Sequence, residues 1–432
     1  MIERAMVFLR TRLPAHSFAR QVSVLASGTA IAQAIPIAVS PILTRLYPPE
    51  EFGLVALYMA CVAVIAVVAT LKYELAITLP ASDDDAAHIV SFTLKLCAAV
   101  SVLIYLPIMF FGDAVAQQLG NPALAPWFYL LPVSVFATGA FNVFQYWCNR
   151  KSQYRQMSVN RVQNAGFTAL SNIILALAKQ TKGGLIIGGA LGQIASAALI
   201  GRRVWNQNRL SFSVTTPRGE LVQAKRYASH PKHIAPAQLI GVAAQQIPVF
   251  MIGSLFSLAT VGFFSMAYRL VSLPSGLIAS AIGDVYRQRI SVAFSERGEF
   301  RDVFVRTLKR TTLLAAPPFI ILYLLAPLLF EWVFGSSWRV AGEYAQILVV
   351  SSFFQFVFTP IDKGAVVVGA TRYIFAWHVA RFLGLMLLLA ATGVFTFSIQ
   401  KVLWWFVALN VTLYTVDGVV ELWLANGRTH GK

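Results

Sequence analysis

Residues 259–281 read ATVGFFSMAYRLVSLPSGLIASA, a run of 23 residues that are almost all apolar or small. A helix of this length crosses the hydrocarbon core of a bilayer, which is roughly 30 Å thick, because each helical residue rises about 1.5 Å. Its only charge is Arg269, close to the middle. A charge at that depth costs about 2.5 kcal/mol or more, so it normally faces a wet cavity or a partner inside a helix bundle.

The composition extends this interpretation to the whole chain. The protein has 432 residues, of which 57% are hydrophobic and only 12% are charged, and its mean hydropathy is +0.66. Soluble domains carry about 25% charged residues, so the sequence predicts an all-α polytopic membrane protein. The net charge of +17 does not call for a nucleic-acid partner, because basic residues collect in the cytoplasmic loops of membrane proteins.

Apolar runs predict twelve transmembrane helices in two pseudo-symmetric six-helix halves. In chain order, spans 1 to 12 are 22–44, 52–77, 88–111, 124–148, 162–178, 183–201, 234–256, 259–281, 311–331, 341–361, 373–393 and 402–425. Of the Lys and Arg residues, 26 fall in segments on the predicted cytoplasmic side and five on the outer side. This asymmetry places both termini in the cytoplasm.

These spans define the expected domain organisation. The segments are a cytoplasmic N-terminal segment (1–21), an N-terminal half (22–201), a cytoplasmic linker (202–233), a C-terminal half (234–425) and a tail (426–432). The basic N-terminal segment is either a short interfacial helix or a tail that only sets orientation. The basic segment 286–310 either meets anionic lipid headgroups or enforces topology.

A short sequence echo suggests that the two halves are a repeat. The sequence AQAIP at 32–36 in span 1 returns as AQQIP at 244–248 in span 7, and a glycine follows in each half, Gly53 and Gly262. Parallel repeats of this kind build several transporter classes, although a chance echo is the alternative. The prolines of spans 1 and 7 interrupt helix hydrogen bonding and predict either hinges or static kinks.

Arg269 in span 8 and Arg381 in span 11 are the deepest charges. At about 1.5 Å per residue both lie roughly 12 Å or more from either membrane surface. The acids near these spans lie at the outer ends of spans 9 and 10 or in the inner half of span 12, where Asp417 and Glu421 occur. Two guanidiniums without a carboxylate at matching depth predict an anionic ligand such as a phosphate. The alternative is that backbone carbonyls, amides or water satisfy them.

Other polar residues of the spans complete the predicted substrate-binding set. Lys72 and Lys95 lie nearer the cytoplasmic ends of spans 2 and 3, where long side chains can extend to headgroups. His378 lies one turn before Arg381 and is either a packed residue or a proton relay. Four amides fit either a wet path or interhelical hydrogen bonds. They are Gln33, Gln145, Asn164 and Gln245.

Sequence motifs typical of enzymes are weak, so we expect that this protein is not an enzyme. Residues 83–85 are three aspartates that could hold a metal and a nucleotide sugar, but a solvated acidic loop explains them better. The sequence contains neither a Walker A motif nor an H-E-x-x-H motif. Cys61, Cys97 and Cys148 lie in apolar runs without C-x-x-C spacing. The sequence therefore predicts no metal site and no cofactor.

Several motifs resemble those of a known family. They are SGTA at 27–30, LTRLY at 43–47, PEEFG at 49–53 and KYE at 72–74. With twelve spans in two halves, they are similar to the Wzx-type polysaccharide flippases of bacterial inner membranes, in the multidrug/oligosaccharidyl-lipid/polysaccharide exporter superfamily. The resemblance implies transfer of undecaprenyl-diphosphate-linked oligosaccharide repeat units from the cytoplasmic to the periplasmic leaflet, for lipopolysaccharide or exopolysaccharide. It also implies cationic residues in a central cavity, which Arg269 and Arg381 match by depth.

Two departures and three alternatives accompany this resemblance. Spans 1 and 7 contain no Asp or Glu, which puts the carboxylate-based ion coupling of the multidrug relatives in doubt here, and the fourteen spans of a lipid II flippase do not fit. A drug or cation exporter of the same fold would need buried acids, and a glycan polymerase or ligase would need a long outer loop. The third alternative is a scaffold that holds a glycan synthesis complex together and transports nothing. The expected partners are the lipid-linked oligosaccharide, membrane lipids and a glycan polymerase complex, without nucleic acid.

Overall fold

A computed structural model describes residues 18–395 and 397–427, and within these ranges the regular structure is helical, without a β-strand. The predicted N-terminal segment 1–21 and the tail 426–432 lie largely outside the described residues.

The helices up to residue 255 begin with two membrane-length helices joined by a two-residue turn. They are α1 (Phe18–Leu46), α2 (Pro49–Thr70), α3 (Asp83–Gln118), α4 (Leu131–Arg150), α5 (Tyr154–Leu177), α6 (Gly184–Gln207), α7 (Pro217–Arg226) and α8 (Ala235–Leu255). A short 3₁₀ helix, Tyr73–Thr78, follows α2.

The helices after residue 255 include two of the longest in the chain. They are α9 (Leu258–Pro274), α10 (Ser280–Arg297), α11 (Arg301–Phe334), α12 (Arg339–Phe358), α13 (Gly364–Val368), α14 (Thr371–Val394) and α15 (Ile399–Ala425). One π-helical turn, Ser275–Ala279, joins α9 to α10, so that the two form one continuous helical stretch.

The number of membrane-spanning helices agrees with the twelve spans predicted from the sequence. Among the described residues, ten helical stretches are long and apolar enough to cross a membrane, and α4 with the short helix before it, which bends by 60°, adds an eleventh. Helix α5 has 24 residues and is long enough, at about 36 Å, but it carries Arg155 and Arg161 and many amides. With α5 the chain has the predicted twelve-helix, two-half arrangement.

The chain divides into two compact units. The first unit comprises the chain up to Tyr47 and the segment Leu57–Ala243. The second unit comprises Pro48–Ala56 and the chain from Ala244 onward. The start of α2 thus belongs with the helices that follow residue 243.

Small residues let α5 and α6 of the first unit pack closely. A Cβ on Gly188 would lie 2.1 Å from Asn172 Oδ1, and one on Gly192 would lie 2.6 Å from the backbone of Thr168. Gly188 and Gly192 therefore let two helices approach closely.

The linker between the predicted halves is folded against the first unit. Glu220 of α7 is buried and accepts hydrogen bonds from Ser91 (2.6 Å) and Lys95 (2.7 and 2.9 Å), both on α3. Tyr73 donates a hydrogen bond to the Ala224 carbonyl at 3.0 Å. Polar contacts therefore fasten this helix, because α7 is too polar to be held by apolar burial alone.

Aromatic side chains fix α9 in the second unit. Tyr268 stacks on Phe264 of the same helix, with ring centroids 5.6 Å apart, and meets Phe406 of α15 edge-on at 6.2 Å. Such pairs add about 0.5–1.5 kcal/mol beyond the burial of apolar area. They hold the turn of α9 that carries Arg269.

Candidate substrate-binding residues

Arg269 lies on α9, eleven residues after the helix begins at Leu258 and close to the middle of the predicted span 259–281. Helix α9 begins after Ser257, whose hydroxyl accepts a hydrogen bond from the Thr260 amide at 3.3 Å and so fixes the register of the helix. The Arg269 side chain is exposed, and within the described part of the chain it forms neither an ion pair nor a hydrogen bond. Its five N–H donors are thus available to a ligand or to water.

Arg381 lies on α14, half-buried and without a carboxylate partner among the described residues. Its guanidinium lies over the ring of Trp377, one turn earlier, at 5.7 Å from the centroid. A cation–π contact is worth about 0.5–2 kcal/mol and leaves the N–H groups in the guanidinium plane unoccupied. The structure therefore holds this cation in place without neutralising it.

The two arginines have a common neighbourhood in the second unit. Tyr414 of α15 lies within electrostatic range of both Arg381 and Tyr268, the residue before Arg269. A single residue of α15 is thus near both Arg381 and the turn of α9 that carries Arg269.

The two candidate lysines are in ion pairs of the first unit. Lys72 pairs with the buried Glu74 at 3.3 Å, across a turn in which Lys72 itself has a φ of 59°. Lys95 pairs with Glu220, as described above. Both lysines therefore have a carboxylate partner, unlike Arg269 and Arg381, and their role in substrate binding stays a prediction.

The remaining candidates differ in their surroundings. His378 is exposed beside Trp377, and it lies within electrostatic range of Asp362, in the turn after α12. Gln245 is exposed and Gln33 is half-buried. The substrate contacts predicted for these three residues are not tested by their positions.

Most of the chain matches a known protein family. The model of a family described as "Polysaccharide biosynthesis protein" matches residues 42–343, well over half of the chain. This protein belongs to that family.

Known proteins similar to this family member include transporters. It is 24% identical over 413 residues to the succinoglycan biosynthesis transport protein ExoT of Rhizobium meliloti (strain 1021), covering 88% of this chain and 75% of the relative. Its fold is similar to that of the lipid II flippase MurJ in an inward closed conformation, with a TM-score of 0.68 at 14% identity, covering 92% of this chain and 86% of that one. An inward-facing multidrug resistance MATE family transporter gives a TM-score of 0.61 at 14% identity, covering 95% and 99%.

In this polysaccharide biosynthesis protein, two candidate amides bond to neighbouring residues of the first unit. Asn164 donates a hydrogen bond to Gln193 Oε1 on α6 at 2.7 Å. The buried Gln145 donates to the Met157 carbonyl on α5 at 3.4 Å. These contacts match the interhelical alternative for both side chains.

Two further cations of this family member were missed from the sequence. Arg161 of α5 donates a hydrogen bond to Thr29 of α1 at 2.6 Å, and Arg203 of α6 donates to Gln163 at 3.1 Å. The predicted span 5 begins at residue 162, whereas α5 begins at Tyr154. A window of mean hydropathy cannot find a helix start that is this polar, but the run of amides along α5 is a detectable signal.

Proposed function

We propose that this protein is a flippase that moves lipid-linked oligosaccharide repeat units across a bacterial inner membrane, from the cytoplasmic to the periplasmic leaflet. The lipid carrier of the cargo is undecaprenyl diphosphate. Arg269 and Arg381 bind the diphosphate, and the protein performs no chemistry on its cargo. Both termini lie in the cytoplasm.

The observation that carries this proposal is the pair of guanidiniums in the second unit. Each lies on a membrane-spanning helix, and each is without a carboxylate partner among residues 18–395 and 397–427. An unneutralised guanidinium in a membrane is costly, so such a residue is retained where an anion visits it. Guanidinium binds phosphate oxygens in a bidentate geometry that an ammonium cannot offer.

The family and its relatives support the nature of the cargo. Membership of the polysaccharide biosynthesis family indicates a glycan. The relative named for succinoglycan transport indicates export of the glycan, and the fold shared with a lipid II flippase indicates that a lipid-linked sugar fits this architecture. A diphosphate is the part of such a cargo that calls for two cations.

The test is complementation of surface glycan in cells that lack the native gene. Arg269→Gln and Arg381→Gln should each abolish surface glycan at normal protein level, and the Lys variants should restore only part of it. Arg339→Gln is the matched control, because Arg339 is exposed and already paired with Glu331 at 2.6 Å. Wild-type glycan from both Gln variants would refute the role of the two arginines.

A further inference from the structure

One side of the membrane-spanning helix α15 carries polar residues. Asn410, Tyr414, Asp417 and Glu421 are spaced by four, three and four residues, which places them on one side of the helix. Asp417 and Glu421 are both buried. Carboxyls buried in a membrane helix are costly and mark functional sites by default.

Glu421 has one satisfied oxygen and one orphan. Its side chain is 1% exposed, and Oε1 accepts a hydrogen bond from the Ala365 amide at 3.0 Å, whereas Oε2 is buried without a hydrogen-bond partner. Gly364 leaves room for this oxygen, since a Cβ there would lie 2.1 Å from Oε2. In the described part of the chain, no cation lies within ion-pair distance of Glu421.

A second polar group without a hydrogen-bond partner lies near Glu421. Tyr286 of α10 is 1% exposed, and its hydroxyl is buried without a hydrogen-bond partner. This residue lies within electrostatic range of Glu421 and Asp362. Tyr286 and Glu421 are thus two buried polar groups in the same part of the second unit, and each buried orphan atom costs about 1–3 kcal/mol.

A proton is the ligand that this chemistry fits. A protonated carboxyl is neutral, so one proton removes the charge that Glu421 would otherwise hold in a buried place without a cation beside it. Lys363, which precedes Gly364 and Ala365 in the chain, is paired with Asp362 at 2.5 Å. Over the described residues, no group of three or more His, Cys, Asp or Glu side chains could hold a metal ion.

We propose that Glu421 forms a proton-binding site in the second unit. The proton comes from water and adds to Glu421 Oε2, and no bond of the chain breaks. Charged and titratable groups face the site from three neighbouring elements and from α15 itself. They are Tyr286 on α10, Asp362 and Lys363 in the turn after α12, Tyr373 and His378 on α14, and Asp417 on α15.

Other titratable groups lie near the site. Asp362 lies within electrostatic range of both Glu421 and the exposed His378, and burial raises the pKa of Asp362. Asp417 accepts a hydrogen bond from the Tyr373 hydroxyl at 2.5 Å. Among these carboxyls, Glu421 is the most buried, at 1% exposed, and one of its oxygens is without a hydrogen-bond partner.

The experiment is infrared difference spectroscopy of the purified full chain between acidic and alkaline pH. Wild type should show the C=O band of a protonated, buried carboxyl, and this band should be lost in Glu421→Gln. The matched control is Glu343→Gln, an exposed carboxyl on α12, which should retain the band. A band that persists in Glu421→Gln overturns the proposal, as does a wild-type band that sodium ions abolish at constant pH.

A second variant keeps the test decisive where Glu421→Gln does not fold. Asp417→Asn removes the other buried carboxyl of α15 and leaves Glu421 in place, so the C=O band should persist. Loss of the band from a folded Asp417→Asn protein would assign it to Asp417 and overturn the proposal. Because the measurement needs no cargo, its failure is distinct from failure of the flippase function, which the arginine variants test separately.

Discussion

Gly53 on α2 and Gly262 on α9 pack against each other in the second unit with matching geometry. A Cβ on Gly53 would lie 1.9 Å from the Leu258 carbonyl oxygen, and a Cβ on Gly262 would lie 2.1 Å from the Pro49 carbonyl oxygen. Each glycine thus meets the carbonyl that lies four residues before the other. These are the two glycines that follow the repeated AQxIP sequence, so the contact supports an internal repeat.

Replacing either glycine should destabilise the protein. Gly53→Ala or Gly262→Ala forces a methyl group into a backbone carbonyl that a rotamer change cannot move, so we expect a loss of about 2–3 kcal/mol. Thermal unfolding in detergent measures this. The matched control is Gly241→Ala on α8, where a Cβ meets nothing within 4 Å. It should be neutral or stabilising by up to about 1 kcal/mol; equal effects at the three positions would contradict the tight contact.

The fold was predictable where it depends on local composition. Runs such as residues 259–281 are apolar over a membrane thickness, and Arg269 lies in the middle of one because helix rise alone fixes its depth. The deep cations therefore needed no knowledge of tertiary structure. Helix α5 shows the limit of this reasoning, since its polar first turns lowered the hydropathy signal and moved the predicted start to residue 162.

What the sequence could not predict depends on partners that are distant along the chain. Lys95 and Glu220 are 125 residues apart, and nothing local indicates that they pair. The sequence places Glu421 in the inner half of span 12, but its burial depends on the turn after α12 and on α10, which are distant along the chain. Contacts of this kind require the packed structure.

The ion pair between Lys95 and Glu220 should control how often the linker helix α7 opens and becomes accessible to a protease. Glu220→Gln removes the charge that Lys95 and Ser91 bind, at a cost of roughly 1–2 kcal/mol, so the helix should open about tenfold more often. Limited trypsin digestion, followed by mapping of cuts at Arg218, Lys225 and Arg226, measures the opening. Glu296→Gln on the exposed face of α10 should leave cleavage unchanged. Equal cleavage of wild type and Glu220→Gln would show that other contacts hold the helix.

Asp362 should make stability depend on pH. Burial raises its pKa, an effect larger than the opposing contact with Lys363. A carboxyl whose pKa is higher in the folded state does not affect stability below its unfolded pKa, and it destabilises the fold increasingly as pH rises from the unfolded pKa to the folded pKa. Asp362→Asn should therefore be more stable than wild type at pH 8, and the difference should shrink as pH falls toward the unfolded pKa of about 3.9. Thermal unfolding across pH measures this, and Asp302→Asn, an exposed control, should show no such trend.

Trp377 should matter to export through Arg381, because its ring is the contact that holds the guanidinium. Trp377→Phe keeps an aromatic face and should retain most surface glycan, whereas Trp377→Leu removes the face and about 0.5–2 kcal/mol of positioning energy. We therefore expect a several-fold lower rate of glycan export from Trp377→Leu at equal protein level. The rate is measured by the appearance of surface glycan after induction in cells without the native gene. If Trp377→Leu exported glycan as fast as Trp377→Phe, the guanidinium would not need its ring to receive a phosphate, and the cation–π contact would serve only helix packing.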